Sequence, residues 1–296
     1  MKETKGKRAC IIINPVSGGT DKKQVLEVIK QNFPKDITYE IIVWEKPEQK
    51  EEIIQKIRER KYDIVVAAGG DGTINQVAQA IKDTNTALAI IPLGSGNGLA
   101  RHLNIPMNAK KAVELIGAGG KEILIDACVV NNMPFFCTSG IGFDALIGKL
   151  FAESKTRGFL TYIRLTLSSF IRYKPQRYDL NIDGKTISSM AFLITFANAS
   201  QYGNNAYIAP QADISDGFID VVILKPFKFW QMLPIGSRMF NKTLNTSPYV
   251  DVYKGQNISV TRKSSGPVHF DGEPEEMATS INYRISKGSV RAIVPV

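Results

Sequence analysis

Residues 62–73 read YDIVVAAGGDGT, and the fold follows from how that stretch is parsed. Residues 64–68 form a short continuous apolar run stopped by two glycines, the pattern of a buried parallel strand. After Gly69, Gly70, Asp71, Gly72 and Thr73 the chain resumes as INQVAQAIKD, with Ile74, Val77, Ala78 and Ile81 at helical spacing. Strand, glycine turn and helix make a place where backbone N–H groups and a helix N-terminus can hold phosphate. A carboxylate repels phosphate oxygens, so Asp71 serves a cation, a hydroxyl or both. The alternative is an Asp-Gly turn that merely closes a βα unit.

Towards the N-terminus, residues 9–13 form a first buried strand, followed by NPVSGG at 14–19. Asp21 is placed to cap a helix whose stripe is Val25, Val28, Ile29 and Phe33. Residues 39–44 alternate and are rich in β-branched side chains, a second strand. Pro47 opens a charged helix carrying Ile53, Ile54 and Ile57. Towards the C-terminus, residues 87–91 are a fourth strand with PLGSGNG at 92–98 after it, and a helix over 109–116 closes the unit. This βαβαβαβ alternation predicts a parallel sheet with helices on both faces and ligands beyond the carboxyl ends of the strands. The loops after strands one, three and four are expected to converge. All three are glycine-rich, which favours a ligand site over a plain turn.

From Lys121 the texture changes to short strands at 122–130, 135–139, 178–182, 189–197, 219–224, 257–261 and 289–294, most of them separated by turn residues. That is the pattern of an antiparallel sandwich or barrel. With the boundary near Asp126, the chain reads as an α/β nucleotide-binding domain over 1–125 and a β-sandwich domain over 126–296. One helix, over 157–173, interrupts the strands. Arg157, Thr161, Arg164, Ser168 and Arg172 share one side; Phe159, Tyr162, Ile163, Phe170 and Tyr173 occupy the other. Such a helix either lies against anionic lipid or covers the sheet with its basic face in solvent. The stretch KPFKFWQMLPIGSRMF at 225–240 is either a lipid-facing loop or a packed crossover.

Composition narrows the function. At 296 residues and 44% hydrophobic content the chain buries a sizeable core. A net charge of +9 suits anionic partners. Cys10, Cys128 and Cys137 sit in apolar runs and read as reduced, buried cysteines of a cytosolic protein. His102 and His269 are the only histidines, too few for a conventional zinc cluster. No stretch approaches the ~20 apolar residues of a membrane span, and the apolar run after the N-terminal charges is too short for a signal peptide. The chain lacks GxxxxGK[ST], a GxGxxG after its first strand, and GxSxG, which argues against P-loop, Rossmann and α/β-hydrolase sites.

The series NPVSGG, GGDGTINQV, PLGSGNGLARHLNIP, the strand at Asp126, GIGFDA from Gly140, ANASQYGNNAYIAPQADISDGFIDVV from Ala197 and FDGE from Phe270 runs in order along nearly the whole chain. It resembles the diacylglycerol kinase catalytic family, whose superfamily includes sphingosine and ceramide kinases. The resemblance implies transfer of the γ-phosphoryl group of ATP to a lipid hydroxyl, with Mg2+, in a cleft between the two domains. A lipid at a membrane surface is then the partner and nucleic acid is not; the enzyme is cytoplasmic and peripheral, with a homodimer left open.

Phosphoryl transfer needs positioning, charge neutralisation and an acceptor for the hydroxyl proton. By the resemblance, Asn14, Ser17, Gly18, Gly19, Gly69, Gly70, Asp71, Gly72, Thr73, Asn75, Gly94, Ser95, Gly96 and Asn97 hold the nucleotide, and Asp71 organises magnesium at its phosphate end. The family's structural magnesium site maps onto the Asp216 carboxylate and the carbonyls of Asp213 and Phe218, with Asp126 linked through water. Glu273 is the first choice for the base and Asp271 the second; an exposed acidic turn is the plainer reading of that segment. Three positions depart from the family: Gln76 where glutamate is common, Trp44 (or Val43) in place of a nucleotide-contacting threonine, and Gly98 where many bacterial relatives have aspartate. Trp44 either stacks on adenine or belongs to the core. An NAD kinase, which would share GGDGT, is the alternative enzyme; a catalytically silent lipid- or nucleotide-binding regulator is the alternative of another class.

Overall fold

The structure is a computed structural model that describes residues 6–14, 22–117, 120–154, 156 and 159–296. By compactness the chain divides into two units. One is Met1–Ile125 with Gly288–Val296, the other Asp126–Lys287. The last strand therefore begins in the second unit and ends in the first.

The first unit contains β1 (Arg8–Ile13), α1 (Lys22–Asn32), β2 (Thr38–Val43), α2 (Lys50–Arg60), β3 (Ile64–Gly69), α3 (Asp71–Ile81), β4 (Ala87–Pro92), α4 (Gly98–His102) and α5 (Ala109–Ile116). The strands run parallel in the order β2-β1-β3-β4. Every residue of β3 and β4 is buried, as expected of strands covered on both faces. Helix α5 starts where Asn108 Oδ1 accepts the Lys111 N–H at 3.1 Å. Trp44 is buried and its indole N–H donates to the Lys46 carbonyl at 2.8 Å, so it belongs to the core.

The second unit contains the inner end of β5 (Gly120–Val130), then β6 (Met133–Phe135), β7 (Thr138–Gly142), α6 (Phe143–Glu153), α7 (Phe159–Phe170), β8 (Gln176–Ile182), β9 (Lys185–Ala191), β10 (Leu193–Ala197), β11 (Ile219–Leu224), α8 (Met232–Phe240), β12 (Val250–Gly255), β13 (Asn257–Arg262), β14 (Gly266–Phe270), β15 (Glu273–Met277) and the first half of β16 (Ser280–Pro295). One antiparallel sheet has the order β12-β11-β10-β7-β14-β15; β16, β13, β8 and β9 pair antiparallel in another. Side chains from both, among them Phe135, Ile141, Tyr178, Phe196, Val221, Val260 and Tyr283, build one core, which makes the unit a sandwich. The Phe196 and Tyr283 rings stack across it at 3.7 Å. The tail of β16 returns to the first unit, where Arg291 and Ala292 pair with Ala87 and Leu88.

Fold class is as read; several elements are not. Residues 189–197, read as one strand, are β9 and β10 of different sheets, divided at Phe192. Residues 135–139 are likewise split between β6 and β7. An apolar pattern that continues through a crossover carries no mark of the change of sheet. Residues 225–240 hold α8 after a short 3-10 turn, not a loop. In α7 the side facing solvent is led by Leu160, Ile163 and Leu167, with Ile171 just past the helix end, while Leu165, Phe170 and, beyond the helix, Tyr173 pack inward. The two-sided reading of that helix missed this apolar stripe, and Arg157 lies outside the described residues.

Candidate functional site

Parallel register brings two of the three glycine loops to neighbouring strand ends. Gly69 pairs with Pro92, and the Leu93 N–H donates to the Gly69 carbonyl at 2.9 Å. On the other side of β3, Ile13 pairs with Ala68 and the Asn14 N–H donates to the Ala68 carbonyl at 3.0 Å. Ser17, Gly18 and Gly19 lie outside the described residues.

Asp71, at the first turn of α3, reaches across to the second loop. Its Oδ2 accepts the Asn97 N–H at 2.9 Å and its Oδ1 the Gly98 N–H at 2.7 Å. It thus ties GGDGT to PLGSGN, a use of the carboxylate that differs from direct metal binding. The Asn97 side chain closes its own loop, accepting the Gly94 N–H at 3.0 Å and donating to the Gly94 carbonyl at 2.7 Å. Asn97 itself is left-handed, at φ 53°. Gly94 has no room to be anything else: a Cβ there would stand 2.6 Å from the Gly70 Cα. The Arg101 Nε–H donates to the Gly96 carbonyl at 3.0 Å, and Ser95 is exposed at the tip.

Thr73 and Asn75 are buried in the first turns of α3, and Gln79 donates to the Asn75 side-chain oxygen. The Thr73 hydroxyl and the Gln76 Oε1 are buried without a hydrogen-bond partner. A buried polar group without a partner is costly, so these two atoms fit a ligand with its own donors and acceptors.

In the second unit Asp126 is fully buried and its Oδ2 accepts the Gly217 N–H at 2.7 Å. The Asp126 N–H in turn donates to the Ile214 carbonyl at 2.8 Å, so β5 is stitched to the loop before β11. In that loop Asp216 Oδ1 accepts the Phe218 N–H at 2.9 Å, and Asp213 Oδ1 accepts from the Ser215 N–H and hydroxyl at 2.9 and 2.8 Å. The other oxygen of Asp216 meets the Lys254 ammonium at 2.6 Å, which also lies 3.6 Å from buried Asp220. Burial raises the Asp220 carboxyl above the usual range, against the lowering effect of Gln211 and Lys254. Asp271, Asp126 and Asp216 all act on Cys128, whose thiol is pushed up first by burial and then by their charge.

Among the described residues no three His, Cys, Asp or Glu side chains converge on a metal position. A cation at Asp216 would therefore lean on backbone carbonyls such as those of Asp213 and Phe218. That oxygen-only chemistry fits a hard divalent ion, but such an ion would compete with Lys254.

Asp271 and Glu273 part company. Asp271 occupies the hairpin turn between β14 and β15 at φ 48°, and its carboxylate accepts the N–H groups of Phe136, Cys137 and Thr138 at 2.8, 2.8 and 3.1 Å. Three backbone donors bind the carboxylate into the scaffold. Glu273, two residues on, is exposed at the start of β15.

One cluster escaped the sequence reading. Asp144, buried at the start of α6, faces His269 Nε2 at 3.2 Å, the Tyr202 hydroxyl at 3.0 Å and the Thr195 hydroxyl at 3.3 Å, all through Oδ2. Burial, then the Asp144 charge, push the Tyr202 phenol up. Gly140 makes the space, since a Cβ there would fall 2.1 Å from that oxygen. The signal was present in GIGFDA, where a carboxylate follows two glycines inside an apolar run.

Residues 8–130 match the diacylglycerol kinase catalytic domain, and residues 138–293 match the YegS C-terminal NAD kinase beta sandwich-like domain. The chain is 28% identical to a diacylglycerol kinase of Bacillus subtilis over 90% of each chain. It is 27% identical to an uncharacterized protein of Synechocystis sp. over 91% of its own length, and spans 66% of that longer relative. A solved diacylglycerol kinase structure from Bacillus anthracis shares the fold, with a TM-score of 0.75 at 20% identity over 99% of this chain and 98% of the other.

Proposed function

The chain belongs to the two-domain diacylglycerol kinase family, and from that premise we propose that it transfers the γ-phosphoryl group of ATP to a lipid hydroxyl. The observation that supports this most is the Asp71 tie between the two glycine loops, with the buried Thr73 hydroxyl beside it left for a ligand. Loops held this way present backbone N–H groups with little freedom left to lose, which is how a site without covalent chemistry lowers a phosphoryl-transfer barrier. On this reading Asn14, Gly70, Gly72, Thr73, Asn75, Ser95, Gly96 and Asn97 contact the nucleotide, and Asp71 positions the loops that do so.

Glu273 accepts the proton of the lipid hydroxyl, being the exposed carboxylate of the FDGE segment; Asp271 holds the turn that presents it. Magnesium, when bound, supplies charge neutralisation for the phosphates. The structural cation site would use Asp216, Asp213 and Phe218, with Asp126 behind them. A lipid acceptor places the work at the cytoplasmic membrane face, in peripheral contact. No helix among the described residues is long and apolar enough to cross a membrane.

Labelled ATP offered with a panel of lipids in mixed micelles, and with NAD in parallel, tests the reading. Label in a lipid product supports it. Label in NAD alone replaces it with the NAD kinase reading, and ATP binding without transfer to either makes the chain a silent regulator.

A further inference from the structure

The second unit carries an apolar ridge that nothing among the described residues covers. Leu160 and Leu167 fall within about 20° of one another on the α7 wheel, Ile163 flanks them, and Ile171 follows directly after the helix. Leu160 is 82% and Ile171 80% exposed. Beside them the turn into α8 exposes Phe229 and Trp230, and Leu233 in α8 is 83% exposed. The two elements are joined beneath, where the Phe170 ring lies 5.3 Å from Phe227 and 5.6 Å from Phe229. The inner faces are seated in an aromatic cluster with Phe143 and Phe192, so the outer apolar side chains have no core left to enter.

Charge identifies what covers them. Residues 154–178 and 225–250 together hold ten lysines and arginines and no aspartate or glutamate. Lys225 and Arg177 are paired with Asp251 and Asp179 just beyond those stretches. Arg164, Arg172, Lys174 and Lys228 are exposed on or beside the ridge, and the Lys228 ammonium lies 5.0 Å from the Trp230 ring centroid. A cavity of about 620 Å³ adjoins α7, combining Leu146 and Leu150 with Ser168, Ser169, Arg172 and Lys174. Apolar tips inside a cationic rim match a bilayer with anionic headgroups. A second copy would bring the same cations face to face, which like-charge repulsion opposes.

We propose that this ridge docks the chain on an anionic lipid surface, with Leu160, Leu167, Ile171, Trp230 and Leu233 entering the acyl boundary. The choice of a bilayer over a protein partner rests on the lipid-kinase reading. The ridge itself does not.

Trp230 provides the readout, because the other tryptophan, Trp44, is buried. Adding vesicles of phosphatidylglycerol and phosphatidylcholine to the full chain shifts its emission to the blue, and salt weakens the effect. A Leu160→Gln/Leu167→Gln/Leu233→Gln variant keeps its thermal midpoint and binds about tenfold weaker or worse. Its transfer to a short-chain lipid dissolved as monomer stays at the unmodified level. Unchanged vesicle binding by the variant overturns the proposal, as does equal binding to phosphatidylcholine alone. A dimer of the unmodified chain that the variant dissolves assigns the ridge to a second copy instead. Ridge-dependent vesicle binding with no lipid phosphorylated under any condition leaves the docking surface standing and removes the kinase reading.

Discussion

Asp71 Oδ1 lies 2.7 Å from the Gly98 nitrogen, and this contact spans 27 residues of sequence. With the matching bond to Asn97 it makes one carboxylate the fastening of two loops.

Asp71→Asn keeps one acceptor and turns the other towards an N–H as a donor. We expect a stability loss of about 1–3 kcal/mol, visible as a lower thermal midpoint, together with weaker ATP binding and turnover lower by orders of magnitude. Normal stability with low turnover would return Asp71 to a direct role at the metal. Normal values of both would remove it from the site.

Asp271 and Glu273 separate into scaffold and chemistry. Asp271→Ala strands three N–H groups and costs about 2–4 kcal/mol. Glu273→Gln leaves the melting curve in place and slows turnover more than it weakens ATP binding. A large melting shift in the Glu273 variant, or weakened ATP binding with normal turnover, would make it structural or a binding residue.

Lys254→Met leaves Asp216 and buried Asp220 without their shared cation. Millimolar magnesium should then raise the thermal midpoint of the variant more than that of the unmodified protein. Equal shifts would show that no divalent ion competes for Asp216.

Glu40 gives the first unit a pH dependence. Its carboxyl is held below the usual value by the Tyr62 hydroxyl first, against some burial, and then by Lys56 and Arg60. A lowered folded-state value means stability present above the ordinary carboxylate value and lost as pH falls through the folded one. The groups are partly exposed, so the amount is about 1 kcal/mol or less. Glu40→Gln should therefore destabilise near neutral pH and converge with the unmodified protein as pH falls through the folded value; a constant offset at all pH values would assign the effect to packing.

What the sequence by itself determined is whatever repeats at short range. Continuous apolar runs stopped by Asn14, by Gly69 and Gly70, and by Pro92 marked β1, β3 and β4 and where their glycine-rich loops emerge, and the turn-separated strands after Lys121 announced a second, antiparallel unit. Periodicity is local, so it survives without the fold. It could not say that Asp71 would spend its oxygens on Asn97 and Gly98, or that Asp271 would collect the amides of residues 136–138 from more than 130 positions away. Nor could it see Asp144 meeting His269, or the chain changing sheets at Phe192. A carboxylate's partners are chosen by which backbone donors the folded chain brings within about 3 Å, and that choice is nonlocal. The same holds for α7: its wheel offered several faces, and only the aromatic cluster beneath Phe170 decided which one turned outward.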